Sequence, residues 1–265
     1  MNFTDLLAAA ADNPAAVTIP TEWAQGRASF GGLVAALQYQ TMRRRVDAAR
    51  QVRSLAITFV APVAPEVPVT FDVEILREGS SVTQVLGRAS QNGQVTTLVQ
   101  GSFGVSRDSV VLYGQPPCYE GVKPREQSPA LPFVKGVMPD FLQHLEIHWG
   151  LGGLPYSGVP APAIGGYVRL RDCQPGPLNE AHVLALVDAW PPGLLGWLKK
   201  PAPHSSLTWT IEFIHPQLSL TTHDWCIYHA EVEHANNGYG HTAATLHSPE
   251  GELIAISRQT VTVFG

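Results

Sequence analysis

Residues 55–104 and 209–264 read as two copies of one unit, and this repeat constrains the fold more than any other feature of the chain. In the first copy, Leu55-Ala56-Ile57-Thr58-Phe59-Val60-Ala61-Pro62 is a short apolar run closed by proline. In the second, Trp209-Thr210-Ile211-Glu212-Phe213-Ile214-His215-Pro216 has the same form. Asn92-Gly93 and Glu250-Gly251 then occupy matching places between two strand-like runs. Each copy closes on an alternating strand, Val95 to Val105 and Leu253 to Val263. A duplicated unit can keep its chemistry in one copy and lose it in the other. The second copy has Gln259 where the first has Gly101. It also has Asp188 in an apolar helix, where the first has only the alanines of Gly32-Leu33-Val34-Ala35-Ala36-Leu37.

The order of elements repeats as well. Leu33 to Met42 is apolar and alanine-rich, entered through Gly31-Gly32, and reads as a buried helix. Strands are expected at 52–60, 67–77, 81–91 and 94–105, with Asn92-Gly93 as the strongest hairpin signal. In the second half, Asn179 caps a buried helix running from His182 to Asp188, which Pro191-Pro192 terminates. Strands near 205–214, 222–234, 237–248 and 252–264 follow it. A helix followed by hairpin-linked strands is an α+β pattern, with an antiparallel sheet wrapped on the helix. Between the halves, Pro116, Pro117, Pro124, Pro129 and Pro132 cannot enter a central ladder. The expected division is therefore 1–105, a proline-rich linker at 106–139, and 140–265. The glycine- and proline-rich stretch Gly150 to Gly166 reads as a loop over a surface or a pocket mouth. Thr4 or Asp5 reads as the cap of an N-terminal helix.

Composition narrows the function. Hydrophobic residues make up 45% of the chain and charged residues 15%, which describes a well-buried globular protein. The net charge of −5 leaves no basic footprint for nucleic acid. Arg43, Arg44 and Arg45, with Arg50 and Arg53 nearby, fall where the first helix ends. They either complement its dipole or form an anion site, such as one for the phosphates of a carrier. The 3 cysteines, Cys118, Cys173 and Cys226, lack metal or disulfide spacing and point to a reducing, cytoplasmic setting. No run approaches the length of a membrane span, so no membrane partner is expected. His144 and His148 have the spacing of two metal ligands on a helix, but no third ligand accompanies them. No metal or other cofactor is expected.

Three residues stand out as candidates for chemistry. Asp188 follows Val183-Leu184-Ala185-Leu186-Val187, and a carboxylate in such a helix is seldom buried without a partner. It is either functional or a helix-end residue facing water. By alternation Gln259 shares a face with Ala255, Ser257, Val261 and Val263, whereas Arg258, Thr260 and Thr262 face away. An inward glutamine needs partners, whether catalytic or structural. Ser206 opens the strand to Phe213, and Ser205 and Thr208 are near-equivalent hydroxyls. There is no GxSxG elbow, and Gly150-Leu151-Gly152-Gly153 lacks the strand-to-helix context of a phosphate loop.

These features resemble the acyl-CoA thioesterase II-like family of double hot-dog proteins, over nearly the whole chain. The cues are Phe30-Gly31-Gly32, Gly165-Gly166-Tyr167-Val168-Arg169, and the aspartate after Leu186-Val187. They continue with Ser205-Ser206-Leu207-Thr208 leading to Phe213 and Pro216, and with Ser257-Arg258-Gln259. The resemblance implies two hot dogs, 1–105 and 140–265, with the site in the second. It implies hydrolysis of an acyl-CoA by a water held by Asp188, Ser206 and Gln259. Gly31 and Gly32 are then candidates for binding the substrate through their N–H groups. It is also compatible with a homo-oligomer of double hot dogs. The chain departs from the family's best-known bacterial members in one place, because Thr208-Trp209 stand where those carry Asp-His. Two alternatives remain open: an acyl-CoA or acyl-carrier binding protein without turnover, and a hot-dog hydratase or dehydratase. The second usually needs a histidine opposite the acid, and no histidine here matches that position.

Overall fold

The computed structural model describes residues 1–114, 119–171, 175–215 and 219–264. Cys118, Cys173, Pro116, Pro117 and Pro216 lie outside them. Three α-helices are present among the described residues: α1 (Phe3–Asp12), α2 (Gly31–Arg43) and α3 (Glu180–Asp188). The first half contributes β1 (Val17–Thr18), the short ribbon β2 (Ala24–Gln25) and β3 (Ala28–Ser29), and β4 (Gln51–Phe59), β5 (Pro68–Glu78), β6 (Val82–Gln91) and β7 (Gln94–Gly104). The second half contributes β8 (Leu145–Leu151), β9 (Ala163–Leu170), β10 (His204–Phe213), β11 (Cys226–Asn236), β12 (Tyr239–His247) and β13 (Leu253–Val263).

All but β2 and β3 join one 11-stranded antiparallel sheet in the order β1-β5-β6-β7-β4-β10-β13-β12-β11-β9-β8. Outward from the centre, β4-β7-β6-β5 on one side mirrors β10-β13-β12-β11 on the other. The sequence repeat thus becomes a pseudo-twofold about the β4–β10 pair, in which Thr58 faces Thr208 and Ser54 faces Glu212. That pairing removes the edges each half would otherwise expose. The helices α2 and α3 pack on each other inside the curved sheet. Val34, Leu37, Val183 and Leu186 are buried in the resulting core. This is the double hot-dog architecture.

Several expectations need correction. The cap of α1 is Asn2, which forms a capping box with Asp5, so neither Thr4 nor Asp5 is the cap. The stretch Gly150 to Gly166 is not all loop, since its ends belong to β8 and β9. Its glycines disguised those strands. A Cβ at Gly165 would lie 2.6 Å from the Tyr228 carbonyl oxygen, so the close approach of β9 to β11 excludes a side chain. The central part of the stretch does loop, and the Tyr156 and Val159 N–H groups donate to the carbonyls of Leu195 and Gly196. Part of the proline-rich segment is paired as well: Leu131 N–H donates to Ile147 O, and Trp149 N–H donates to Pro129 O, which covers the outer edge of β8. His144 ends a 3-10 turn and stacks on Trp23, while His148 lies in β8, so the two do not share a helix.

Candidate active site

Asp188 is the last residue of α3, and Asn179 opens that helix with a capping box closed by His182. The apolar face that drives α3 into the core carries Asp188 with it, to the N-terminus of α2. There Gly31 and Gly32 make the fit possible. A Cβ on Gly31 would stand 3.0 Å from Asp188 Oδ2, and one on Gly32 would stand 2.9 Å from Asp188 Cβ and 2.7 Å from the Phe30 ring. The lack of a side chain at both glycines is therefore a steric requirement of the approach of α2 to α3.

Gln259 comes from the other side, on β13. Its face holds Ala255, Ser257 and Val261, all buried. Its Nε2 donates a 2.7 Å hydrogen bond to Asp188 Oδ1. Next to it on the sheet, the Trp209 indole N–H donates 2.8 Å to Ser257 Oγ, and both are buried. Thr208 and Trp209 thus present one outward hydroxyl and one core indole.

Burial raises the Asp188 carboxyl from its ordinary 3.8 to about 7, against the opposing pull of the Gln259 hydrogen bond and the Gly32 backbone N–H. Asp188 nevertheless keeps some accessible surface. A carboxyl that is desolvated yet still reachable can exchange a proton with a bound molecule near neutral pH. Above it, Tyr228 stacks on Trp190 with ring centroids 4.9 Å apart, and Trp149 packs on Trp190 at 5.2 Å. Burial and the neighbouring Asp188 charge push the Tyr228 hydroxyl far above its usual range, so it stays neutral.

Ser206 reaches this face only through a β-bulge. Ser206 pairs with Val261 and Thr208 with Thr260, so Leu207 is the extra residue. Strict alternation would put Ser206 on the outer face with Thr208; the bulge returns it to the inner face beside Val261. It is partly buried and makes no hydrogen bond to Asp188 or Gln259.

The first half differs at the equivalent point. Gly101 stands where Gln259 does, and a Cβ there would meet the Met42 methyl at 2.7 Å. Counting from the first residue of each helix, the counterpart of Asp188 is Tyr39 rather than an alanine. Its hydroxyl donates 3.0 Å to Glu180, and its ring lies between Phe103 and Phe213. One polar pair therefore occupies the pseudo-symmetric position, without a glutamine or a buried carboxylate. The arginines at and after the end of α2 bind carbonyl oxygens: Arg43 those of Asp47 and Arg50, and Arg53 that of Gly104.

Residues 123–263 match the acyl-CoA thioesterase C-terminal domain family, and residues 19–104 match the corresponding N-terminal domain family. The chain belongs to the acyl-CoA thioesterase family. Among relatives of this family, acyl-CoA thioesterase 2 of Haemophilus influenzae is 23% identical and aligns with 88% of this chain and 86% of its own. Among solved structures, a hot-dog protein of unknown function from Alicyclobacillus acidocaldarius superposes with a TM-score of 0.83 at 23% identity, covering 97% of this chain and 98% of that one. Acyl-CoA thioesterase II TesB2 from Mycobacterium marinum superposes at 0.70 and 22% identity, covering 94% and 92%. Membership makes the chain a thioester hydrolase.

Of the three residues the sequence singled out, Asp188 and Gln259 are in contact, and Ser206 shares their side of the sheet. The role of Gly32 N–H toward Asp188 has no local signal, because that contact joins distant segments. The aromatic stack of Trp149, Trp190 and Tyr228 has none either. Among the described residues no cluster of three metal-ligating side chains occurs, and no helix is long and apolar enough to cross a membrane.

Proposed function

We propose that the protein hydrolyses an acyl-CoA to the free acid and CoA, with Asp188 as the general base. The observation that carries this reading is the buried Asp188 carboxylate, hydrogen-bonded to Gln259 at the N-terminus of α2. A thioester is already activated, so the attacking water needs only orientation and a proton acceptor. Water attacks the carbonyl carbon, and Asp188 takes its proton. Collapse of the tetrahedral intermediate breaks the C–S bond, and the thiolate leaves with the proton Asp188 returns. Gln259 fixes the carboxylate and tunes its basicity, and the Ser206 hydroxyl helps to hold the water. Gly32 N–H steadies Asp188, and Gly31 N–H, at the head of α2, donates toward the developing oxyanion. The acyl chain lies against the apolar inner face by the Trp190–Tyr228 stack.

The rest of the reading follows from this. The two hot dogs are 1–105 and 140–265, joined by 106–139, with the working site in the second. The protein acts in the cytoplasm, a placement supported by its sparse cysteines, of which Cys226 is a buried free thiol. It assembles as a homo-oligomer, supported by the uncovered apolar run Val110-Val111-Leu112-Tyr113; light scattering tests this. Activity is tested by following thiol release from a panel of acyl-CoAs from short to long chain. Turnover on at least one supports hydrolysis. Tight binding of acyl-CoA without thiol release would favour a pure binding role.

A further inference from the structure

On the β12 side of Gln259 the structure holds a polar group with nothing to bind. Thr242 is the direct cross-strand partner of Gln259. Directly opposed residues place their side chains on the same face, with Cβ atoms about 4.5–5.5 Å apart. Thr242 is buried, on the inner face with Gly240, Ala244 and Leu246. Its Oγ1 has no hydrogen-bond partner. A buried hydroxyl without a partner forfeits its hydration, so it is rarely left so unless something else fills the vacancy.

The surroundings point the same way. The apolar packing of this half breaks at the Gln259–Thr242 row. Trp209, Ala244 and Ala255 belong to the main core, whereas Leu194 and Leu195 of the 3-10 turn Gly193–Trp197 form a separate cluster with Val261. Gln259 links this row to the end of α3 through its hydrogen bond to Asp188. The helix carrying Asp188 packs against β12 itself.

We propose that Thr242 is a further residue of the reacting centre, its hydroxyl binding the attacking water beside the Asp188–Gln259 pair. This rests on the thioesterase reading above. A trapped water needs two to four polar partners. Asp188 accepts from it, and Thr242, both donor and acceptor, supplies a contact from β12, on the side of β13 away from the strand that carries Ser206.

The test compares Thr242→Val, Thr242→Ser and Thr245→Val with the wild-type chain. Thr245 also carries a buried, unpaired hydroxyl, but it sits on the other face of β12, opposite Ile256. Valine keeps the shape of threonine and removes the hydroxyl. The expected result for Thr242→Val is a fall in kcat of about ten- to a hundredfold on the best acyl-CoA, with little change in KM. Its melting temperature should be unchanged or higher, because an unpaired hydroxyl contributes no stability. Thr242→Ser should recover most of the rate, and Thr245→Val should match wild type. The proposal is overturned if Thr242→Val turns over at the wild-type rate, or if serine fails to restore it. In that case an Asp188→Asn variant that is still inactive leaves the thioesterase reading standing. A wild-type chain that releases no thiol from any acyl-CoA overturns both.

Discussion

The Gln259 side-chain amide donates a 2.7 Å hydrogen bond to the Asp188 carboxylate, joining the last strand of the chain to the end of its last α-helix. This contact opposes burial. Desolvation raises the Asp188 carboxyl to about 7, and the Gln259 amide holds it lower than burial alone would. The base is thus set near neutral pH, where a general base is most effective.

The pH dependence follows. Only the ionised carboxylate accepts a proton from water, so kcat/KM should rise with pH and level off above about 7. Replacing Gln259 with alanine removes a bond that favours the charged form. The rising limb should then move to higher pH, and the plateau should fall by about ten- to a hundredfold. The pH–rate profiles of the two proteins check this; a Gln259→Ala profile that overlays wild type contradicts it.

The same carboxyl should make stability depend on pH. The folded value is about 7 and the ordinary value is 3.8. Between them the folded chain holds a proton that the unfolded chain has released. The favourable contribution is complete below the ordinary value and is lost as pH rises through the folded one. Asparagine does not titrate. Asp188→Asn should therefore be more stable than wild type at pH 8, by on the order of a few kcal/mol, and the gap should close toward pH 4. Thermal melts across that range decide it.

Gly32 should tolerate no side chain. A Cβ there meets the Phe30 ring at 2.7 Å and Asp188 Cβ at 2.9 Å. Gly32→Ala should cost about 1–3 kcal/mol in denaturant unfolding and displace the carboxylate, with a loss of turnover larger than the loss of folded protein. Gly26, whose Cβ would meet nothing, is not comparable, since its φ of +66° would strain alanine.

Ser206 and Thr208 should separate cleanly. The bulge at Leu207 puts Ser206 on the inner face and leaves Thr208 outside. Ser206→Ala should lower kcat by about tenfold, and Thr208→Ala should leave it unchanged. Equal effects in a thiol-release assay would mean that the bulge does not select the working hydroxyl.

The fold was largely legible because its signals are local. The Asn92-Gly93 hairpin joins β6 to β7, and Asn179 caps α3, as their residue types require. Missed elements had local signals that misled: β8 and β9 carry Gly150, Gly165 and Gly166, whose purpose is close strand packing. Alternation alone placed Gln259 inward, and the apolar run before Asp188 marked it as unusual. Neither signal could show that the two meet, which depends on α3 packing against a sheet whose last strand is β13. The face of Ser206 was beyond sequence reading, because a single extra residue in β10 decides it. Tyr39, the counterpart of Asp188, went unnoticed because it lies two residues past the alanine run that drew attention.

The central claim is that Asp188 is the base, and turnover by Asp188→Asn tests it most directly. Asparagine keeps the shape and the Gln259 contact but cannot accept the proton of water. Thiol release from the best acyl-CoA should fall by about 10²–10⁴-fold in a variant that folds at least as stably as wild type. A folded Asp188→Asn protein that hydrolyses acyl-CoA at the wild-type rate would contradict the account.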